Sequence, residues 1–206
     1  MKVILVNGSP KEKGSTFTGL SIIKEQLSKN GVDSEIFHVG NKPVIGCTAC
    51  NSCKKGSSIC VYNDDAVNTV AAAFKDADGF IIGSPVHFAA ASGAATSFMD
   101  RLFYSIDRQA CRMKFGASIV VCRRGGNSAA FDQLNKYFTI SQMPLVSSCY
   151  WNGFHATSPE HVHADEEGVR ILKTLADNMA YLIKCKHQSN IPLPDILPPA
   201  RTDFIG

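Results

Sequence analysis

Four of the eight cysteines in this 206-residue chain lie close together and could bind a metal. Two residues separate Cys47 from Cys50 and Cys50 from Cys53, and Cys60 follows after a further six. Three thiolates at this spacing are typical of a chain that wraps an iron–sulfur cluster, with a fourth closing the site. The same thiolates could instead hold zinc, form a redox disulfide or stay reduced and inert. Zinc sites favour two separated cysteine pairs, so the spacing favours a cluster over zinc.

A polar loop after the first apolar run has the composition of an anion-binding site. This first loop (residues 8–16, GSPKEKGST) lies between a predicted strand and a predicted helix. Its backbone N–H groups and the helix N-terminus would face one point. Its side chains add donors and charge there through Ser9, Lys11, Ser15 and Thr16. The loop matches neither a P-loop nor GxGxxG, and a polar turn that caps a helix is the alternative interpretation.

Two further loops follow predicted strands. The second loop (residues 83–88, GSPVHF) combines a tight turn with an imidazole and an aromatic ring and could wall a flat ring, or simply connect a strand to a helix. The third loop (residues 123–127, RRGGN) offers two cations and flexible glycines, and is either a site for negative charge or a solvated basic turn. Because ligands bind at the carboxyl ends of parallel strands, we expect the three loops to converge on one cleft.

Apolar runs and helical patterns predict the elements that position these loops. Strands are expected at 2–7, 33–39, 79–83, 115–122 and 145–149. Helices are expected at 18–29, 65–77, 92–107, 128–140 and 165–186. Their alternation predicts an α/β protein with a doubly wound parallel sheet and a Cys-rich insertion (41–64) after the second strand. We predict one domain over residues 1–187 and an extended tail over 188–206.

The composition excludes several classes of protein. Hydrophobic residues make up 45% of the chain and charged residues 19%, which excludes disordered, collagen-like and coiled-coil proteins. The net charge of +3 is too small for a dedicated nucleic-acid or membrane-surface protein. No apolar run has the length of a signal peptide or a membrane span. We therefore predict a cytoplasmic protein without nucleic-acid or membrane partners, in which clustered cysteines serve metal or redox chemistry.

Several segments, in order, resemble one known family over nearly the whole chain. Four segments are similar to the NAD(P)H-dependent FMN reductase branch of the flavodoxin-like superfamily. They are the first loop, the second loop, SGAATSFMDR (92–101) and RRGGNSAAFDQL (123–134). The GCTACNSC…C segment followed by Asp64 and Asp65 resembles the iron–sulfur flavoproteins of that family. YWNGFHATSPE (150–160) and RTDFIG (201–206) are similar as well. The resemblance implies a flavodoxin-like, five-stranded parallel sheet of order 2-1-3-4-5 and a homodimer or homotetramer.

The resemblance also implies cofactors and residue roles. The FMN phosphate is expected on four residues of the first loop: Ser9, Lys11, Ser15 and Thr16. The edge of the isoalloxazine ring is expected on the second loop: Pro85, Val86, His87 and Phe88. The pyrimidine side of that ring is expected on the third loop: Arg124, Gly125 and Gly126. The ligands of a [4Fe-4S] cluster match the clustered cysteines: Cys47, Cys50, Cys53 and Cys60.

The leading functional hypothesis is a flavin-dependent oxidoreductase. Hydride would pass from NAD(P)H to bound FMN and on to a flavin, a quinone or a redox partner protein, with a [4Fe-4S] cluster as an additional carrier. No catalytic acid or base is predicted, because the chemistry lies on the flavin. One alternative is a non-enzymatic flavin and iron–sulfur electron carrier, although such carriers are typically more acidic. The other is a zinc-holding structural or regulatory module, against which the converging loops argue.

Overall fold

A computed structural model describes residues 1–56, 58–198, 200 and 202 of the chain. Its strands are β1 (Lys2–Asn7), β2 (Asp33–His38), β3 (Gly79–His87), β4 (Ala90–Ala91), β5 (Phe115–Cys122) and β6 (Gly153–His155). Its α-helices are α1 (Ser15–Lys29), α2 (Val67–Phe74), α3 (Gly93–Ser105), α4 (Arg108–Cys111), α5 (Asn127–Ile140) and α6 (Glu166–Gln188). Short 3-10 helices occur at Ser52–Lys54 and Pro159–Ala164.

The sheet is parallel along its main path, which confirms the predicted α/β class. Its strand order is β2-β1-β3-β5-β6, and β4 pairs only with the end of β3, in the antiparallel direction. The predicted order 2-1-3-4-5 differs from this, because the short β4 occupies the fourth place in the chain and lies off the main path. Asn7 at the end of β1 lies beside His38 of β2 and Gly83 of β3. The carboxyl ends of these strands therefore meet at one edge.

The predicted strand at 145–149 is wrong. Only an isolated bridge joins Leu145 to Gly116, and the fifth parallel strand is β6, which pairs with the end of β5. In the intervening turn the Ser148 hydroxyl donates to the Tyr150 carbonyl (2.7 Å) and accepts from the Tyr150 N–H (3.3 Å). Such local side-chain bonds compete with a strand ladder, so pairing resumes only farther along the chain.

Both faces of the sheet are covered by helices, because the strands are apolar on both sides. Val3 and Leu5 belong to the core beneath α1 and α6, whereas Ile4 and Val6 belong to the core beneath α2, α3 and α5. This alternation follows the two-residue period of a strand. The core beneath α2, α3 and α5 contains edge-to-face aromatic contacts that involve Phe74, Phe80, Phe103 and Phe138. Two packed faces hold the strand ends, and thus the loops, in place.

Two predicted segments contain little regular structure. Between β2 and α2, the described part of the Cys-rich segment 41–64 forms one 3-10 turn and no strand or α-helix. After α6, residues 189–198 have neither helix nor strand. The remaining tail residues 199, 201 and 203–206, which include most of RTDFIG, lie outside the described residues. Among the described helices, none has both the length and the apolar character that crossing a bilayer requires.

Candidate functional site: a cleft at the strand ends and a cavity lined by four cysteines

A cleft of about 200 Å³ lies at the carboxyl ends of β1, β3 and β5. All three loops and the segment after β6 contribute to its lining: Ser9, Pro10, Lys11, Gly14, Ser15, Thr16, Pro85, Val86, His87, Val121, Cys122, Arg123, Ala156 and Thr157. The order of the strands reverses at β1, which continues to β2 on one side and has β3 on the other. Open α/β sheets bind their ligands at this kind of switch point.

Asn7 shapes the first loop from beneath. The side chain is fully buried, and its amide nitrogen donates to the carbonyls of Lys11 (3.3 Å) and Glu12 (2.9 Å). Its amide oxygen accepts from the Ser9 N–H (3.1 Å), and the Ser9 hydroxyl accepts from the Lys11 N–H (3.1 Å). These bonds curl the loop over the end of β1. Asn7 is a site residue beyond those predicted, and the sequence signal for it is an amide that ends a buried apolar run.

Helix α1 presents an uncapped N-terminus to the cleft. Gly14 stands at its N-cap position and therefore brings no side chain to cap the first N–H groups. The first N–H groups of α1 therefore lie beside Ser15 and Thr16 in the cleft wall, at the positive end of the helix dipole. An anion such as a phosphate group fits this set of donors. His38 supports the loop from β2, with Nε2 2.8 Å from the Ser9 carbonyl oxygen.

The second loop contributes three of its four predicted residues. Pro85, Val86 and His87 line the cleft. Phe88 does not, because Phe88 and Ala89 both have positive φ angles (51° and 59°) and form the turn between β3 and β4. This turn directs the Phe88 side chain into solvent, where it is fully exposed. Phe88 is therefore not part of the cleft lining, and its contact with an isoalloxazine ring stays a prediction.

The third loop reaches the cleft through a residue other than those predicted. Arg123 lines the cleft, whereas Arg124, Gly125 and Gly126 are not part of its lining. Gly126 has φ +85° and stands at the N-cap of α5, where a Cβ atom would lie 2.8 Å from the Cα of Ala89. Because Gly126 has no Cβ atom, the third loop can approach the turn between β3 and β4 closely. The flavin contacts of these three residues stay predictions, and the paired arginines are the signal by which Arg123 could have been chosen.

The four clustered cysteines line a second, smaller cavity of about 20 Å³. It is bordered by Cys47, Thr48, Cys50, Asn51, Cys53, Cys60, Val61, Tyr62, Arg101, Tyr104 and Ser105. All four cysteines are free thiols, and Cys53 and Cys60 are half-buried. Within residues 1–56, 58–198, 200 and 202, no three His, Cys, Asp or Glu side chains are placed to hold a metal ion. The residues fit a cluster or zinc in their donor chemistry, because four thiols line one cavity.

The pKa of the Cys50 thiol is shifted in the opposite direction from the pKa values of the buried thiols Cys111 and Cys122. Hydrogen bonds from the backbone and hydroxyl of Ser52 hold the pKa of Cys50 below its usual value. Burial raises the pKa of Cys111 to about 11, and burial also raises the pKa of Cys122, which lies in the wall of the larger cleft. A lowered thiol pKa favours the thiolate, which is the form that binds metals.

Helix α3 forms one side of this four-cysteine cavity. The Tyr104 hydroxyl donates to the Asn51 side-chain oxygen (2.6 Å), and the Cys53 thiol lies 3.9 Å from the Tyr104 carbonyl oxygen. Arg101 borders the cavity and is buried. Burial alone would lower the pKa of Arg101, but its bonds to Cys60 and Asp65 raise it above the usual value. The guanidinium is therefore charged. In the sequence, Arg101 only ends the segment SGAATSFMDR, whose helical pattern does not indicate these contacts.

The fold and the cleft define a flavodoxin-like α/β protein. A solved archaeal flavodoxin superposes with a TM-score of 0.60 at 15% identity, covering 89% of this chain and 99% of that one. Rubredoxin oxygen:oxidoreductase from Desulfovibrio gigas gives a TM-score of 0.62 at 17% identity over 91% of this chain, which spans 37% of that longer chain.

The family model for NADPH-dependent FMN reductases matches residues 1–157, and the chain belongs to this family. An iron-sulfur flavoprotein of Methanocaldococcus jannaschii is 27% identical over 89% of this chain and 98% of that protein. These findings confirm the family resemblance that the sequence motifs indicate. The protein is an oxidoreductase of the NAD(P)H-dependent FMN reductase type.

Proposed function

We propose that this protein binds FMN in the cleft at the ends of β1, β3 and β5, accepts hydride from NAD(P)H, and passes electrons to an acceptor through the four-cysteine cavity. The observation that carries the proposal is the convergence of the uncapped N-terminus of α1 with the second and third loops on one cleft. FMN, when bound, supplies hydride and single-electron chemistry. The roles of the protein are to bind the cofactor, orient it and adjust the charge around it.

The first loop is the proposed phosphate site. The Ser15 and Thr16 hydroxyls and the first N–H groups of α1 would donate to the phosphate oxygens, and Lys11 would add a positive charge at the rim. The bonds from Asn7 hold the loop in shape before any anion binds. A preorganised loop loses less conformational entropy on binding, which favours tight retention of the cofactor.

The second and third loops are the proposed walls for the flavin ring. Pro85 and Val86 supply apolar surface, His87 lies at the exposed rim, and Arg123 is the cation of the third loop in the cleft. Negative charge develops on the flavin when it is reduced, so a nearby guanidinium would favour reduction. We assign this role to Arg123, and the support is its place in the lining.

The four-cysteine cavity is the proposed site of a [4Fe-4S] cluster, with Cys47, Cys50, Cys53 and Cys60 as ligands. The spacing of the cysteines, their common cavity and the name of the Methanocaldococcus relative support this assignment. Such a cluster supplies single-electron transfer, which would connect hydride chemistry in the cleft to a quinone or a redox partner protein. All eight cysteines, each within the described residues, are free thiols, as a reducing cytoplasm would keep them.

A homodimer or homotetramer is proposed as the assembly. The ring centroids of the exposed residues Tyr150 and Trp151 lie 5.2 Å apart, and the two residues come shortly before β6 in the chain. A pair of exposed aromatic rings is typical of a contact surface. Sedimentation of the wild type and of Trp151→Ser would test the proposal, and an unchanged monomer in both would contradict it.

The decisive experiment is the absorption spectrum of anaerobically purified protein, combined with analyses for FMN, iron, sulfide and zinc. We expect flavin bands together with broad iron–sulfur absorption, and oxidation of NADH or NADPH when a flavin, quinone or dye is added. Cys53→Ser should lose iron and sulfide but keep FMN, whereas Cys149→Ser, which changes an exposed thiol outside the cavity, should keep all three. Zinc without iron would contradict the cluster. Flavin-loaded protein without NAD(P)H turnover would contradict the enzymatic proposal.

A further inference from the structure

Arg101 is a buried charge, and the hydrogen bonds of its side chain to the described residues go to one short segment. Arg101 belongs to α3, and its side chain is fully buried. Its Nε donates to the Cys60 thiol sulfur (3.3 Å), Nη1 donates to the Asp65 carboxylate, and Nη2 donates to the Tyr62 carbonyl (2.5 Å). Burial of a guanidinium is costly unless its donors are paired, so these three bonds fix the position of the fork. The fork in turn binds residues 60–65 to α3.

The segment held in this way carries the cysteine that lies outside the tight run. Asn68 holds the Cys60 backbone from the other side, since its oxygen accepts from the Cys60 N–H (2.9 Å) and its nitrogen donates to the Cys60 carbonyl (2.9 Å). The backbone of Cys60 is thus fixed by Asn68 and its sulfur by Arg101. Two side chains from separate helices, α2 and α3, therefore define where this thiol stands in the four-cysteine cavity.

The hydrogen bond to the Cys60 sulfur also gives Arg101 a place in the electrostatics of the cavity. The guanidinium fork matches carboxylate geometry, which accounts for the ion pair with Asp65. The remaining Nε–H is directed to sulfur rather than to an oxygen. Hydrogen bonds to ligand sulfurs stabilise negative charge there, and they are one of the means by which proteins set the reduction potential of a cluster.

We propose that Arg101 is a positioning residue of the four-cysteine site, which holds the Cys60 sulfur by an N–H···S hydrogen bond and thereby raises the reduction potential of the group bound there. This inference rests on the proposed function, because it takes the four cysteines as cluster ligands. It is distinct from that function, because a cluster could bind to the same cysteines without any contribution from Arg101.

The test compares three variants with the wild type after anaerobic reconstitution with iron and sulfide. Arg101→Lys keeps a positive charge but cannot donate to sulfur, carboxylate and carbonyl in the same fork geometry. Asp65→Asn removes a negative charge near the cavity and keeps the arginine. Arg170→Gln removes an exposed arginine from α6 and serves as the matched control. The readouts are iron and sulfide per chain, FMN content, the thermal unfolding midpoint and the midpoint potential of the cluster.

We expect opposite shifts from the two variants near the cavity. Arg101→Lys should retain FMN and show a more negative cluster potential, because the Cys60 sulfur would lose a hydrogen bond that stabilises the greater negative charge of the reduced state. Asp65→Asn should show a more positive potential, because a negative charge is removed. Arg170→Gln should match the wild type in both respects.

Three outcomes would overturn the inference. A cluster potential in Arg101→Lys equal to that of the wild type, with full iron and sulfide, would show that the arginine serves folding alone. If Arg101→Lys does not fold, Asp65→Asn becomes the test variant. An unchanged or more negative cluster potential in Asp65→Asn would contradict the role of this charge pair. A wild type that takes up no iron and sulfide would overturn the proposed cluster together with this inference. The first two outcomes leave the proposed cluster intact.

Discussion

The Ser92 hydroxyl donates a hydrogen bond to the Gly8 carbonyl over 2.6 Å and thereby joins the N-terminus of α3 to the first loop. The same oxygen caps α3 by accepting from the Ala95 N–H (3.1 Å), and the Ser92 N–H donates to the Ser84 hydroxyl (2.9 Å). One buried serine thus connects a helix to two of the loops that form the cleft. Because α3 carries Arg101 near its other end, the cleft and the four-cysteine cavity are built on a common helix.

The first prediction concerns this connection. Ser92→Ala removes a helix cap and leaves the Gly8 carbonyl without its buried donor, which should lower the free energy of unfolding by about 2 kcal/mol. The first loop should also become less ordered, and FMN should bind roughly tenfold more weakly, a loss of about 1.4 kcal/mol. Urea unfolding and fluorescence titration with FMN measure the two effects. Ser92→Thr, which keeps a hydroxyl, should recover most of both losses; equal losses in the two variants would contradict the role of the hydrogen bond.

The second prediction concerns the close approach of the first loop to α3. A Cβ atom on Gly8 would lie 2.7 Å from the Ala95 Cβ and 2.8 Å from the Gly83 carbonyl oxygen. Gly8→Ala therefore forces the loop away from α3 and should lower the free energy of unfolding by about 2–3 kcal/mol. Gly93→Ala is the matched control, because a Cβ there meets open space at the start of the same helix. Urea unfolding that ranks the two variants equally would contradict this account.

Local pattern predicted the positions of the loops, because each apolar run ends in a glycine or a polar residue where a buried strand must end. Ser9, Thr16 and His87 were placed in this way, and the structure brings them into one cleft. The two-residue turn at Phe88 was not predictable by the same means. Positive φ at a phenylalanine is unusual, and it arises here from the pairing of β3 with β4 rather than from a local signal.

Other features could not be predicted from the sequence because they depend on residues that are distant in the chain. The burial of Arg101 depends on Cys60 and Asp65, which are 41 and 36 residues away in the chain. A helical pattern that contains an arginine predicts a solvated side chain, so only the folded arrangement identifies this one as buried. The predicted strand at 145–149 is wrong for a related reason, because the apolar residues Leu145 and Val146 do not indicate the turn that follows them.

The third prediction separates two adjacent arginines. Arg123 lies in the lining of the cleft, and Arg124 does not, although both are exposed. If the guanidinium of Arg123 favours the reduced flavin, Arg123→Gln should make the flavin midpoint potential more negative and slow reduction by NADPH severalfold. Arg124→Gln is the control of equal charge change and should leave both unchanged. Spectroelectrochemistry and stopped-flow reduction provide the measurements, and larger effects in Arg124→Gln would assign the role to the residue indicated by the family resemblance.

The fourth prediction concerns acid stability at the edge of the sheet opposite the cleft, where Asp78 precedes β3. Burial alone would raise the pKa of the Asp78 carboxyl, but the hydrogen bond from the Lys2 N–H (2.9 Å) and the contact with His187 (2.7 Å) lower it below its usual value. A carboxyl whose pKa is lower in the folded than in the unfolded chain stabilises the fold above its unfolded pKa. That contribution is lost as the pH falls through the folded pKa.

Asp78→Asn should therefore lower the free energy of unfolding at pH 7 by about 1–2 kcal/mol, the scale of a charge-assisted hydrogen bond. Between pH 7 and pH 3 it should lose less stability than the wild type, because the titrating group is gone. Asp76→Asn, at an exposed position two residues earlier, is the matched control and should follow the wild-type profile. Urea unfolding at both pH values measures the difference. Parallel pH profiles for Asp78→Asn and the wild type would mean that Asp78 does not titrate with folding, and the bond from Lys2 would then lose its assigned part in acid stability.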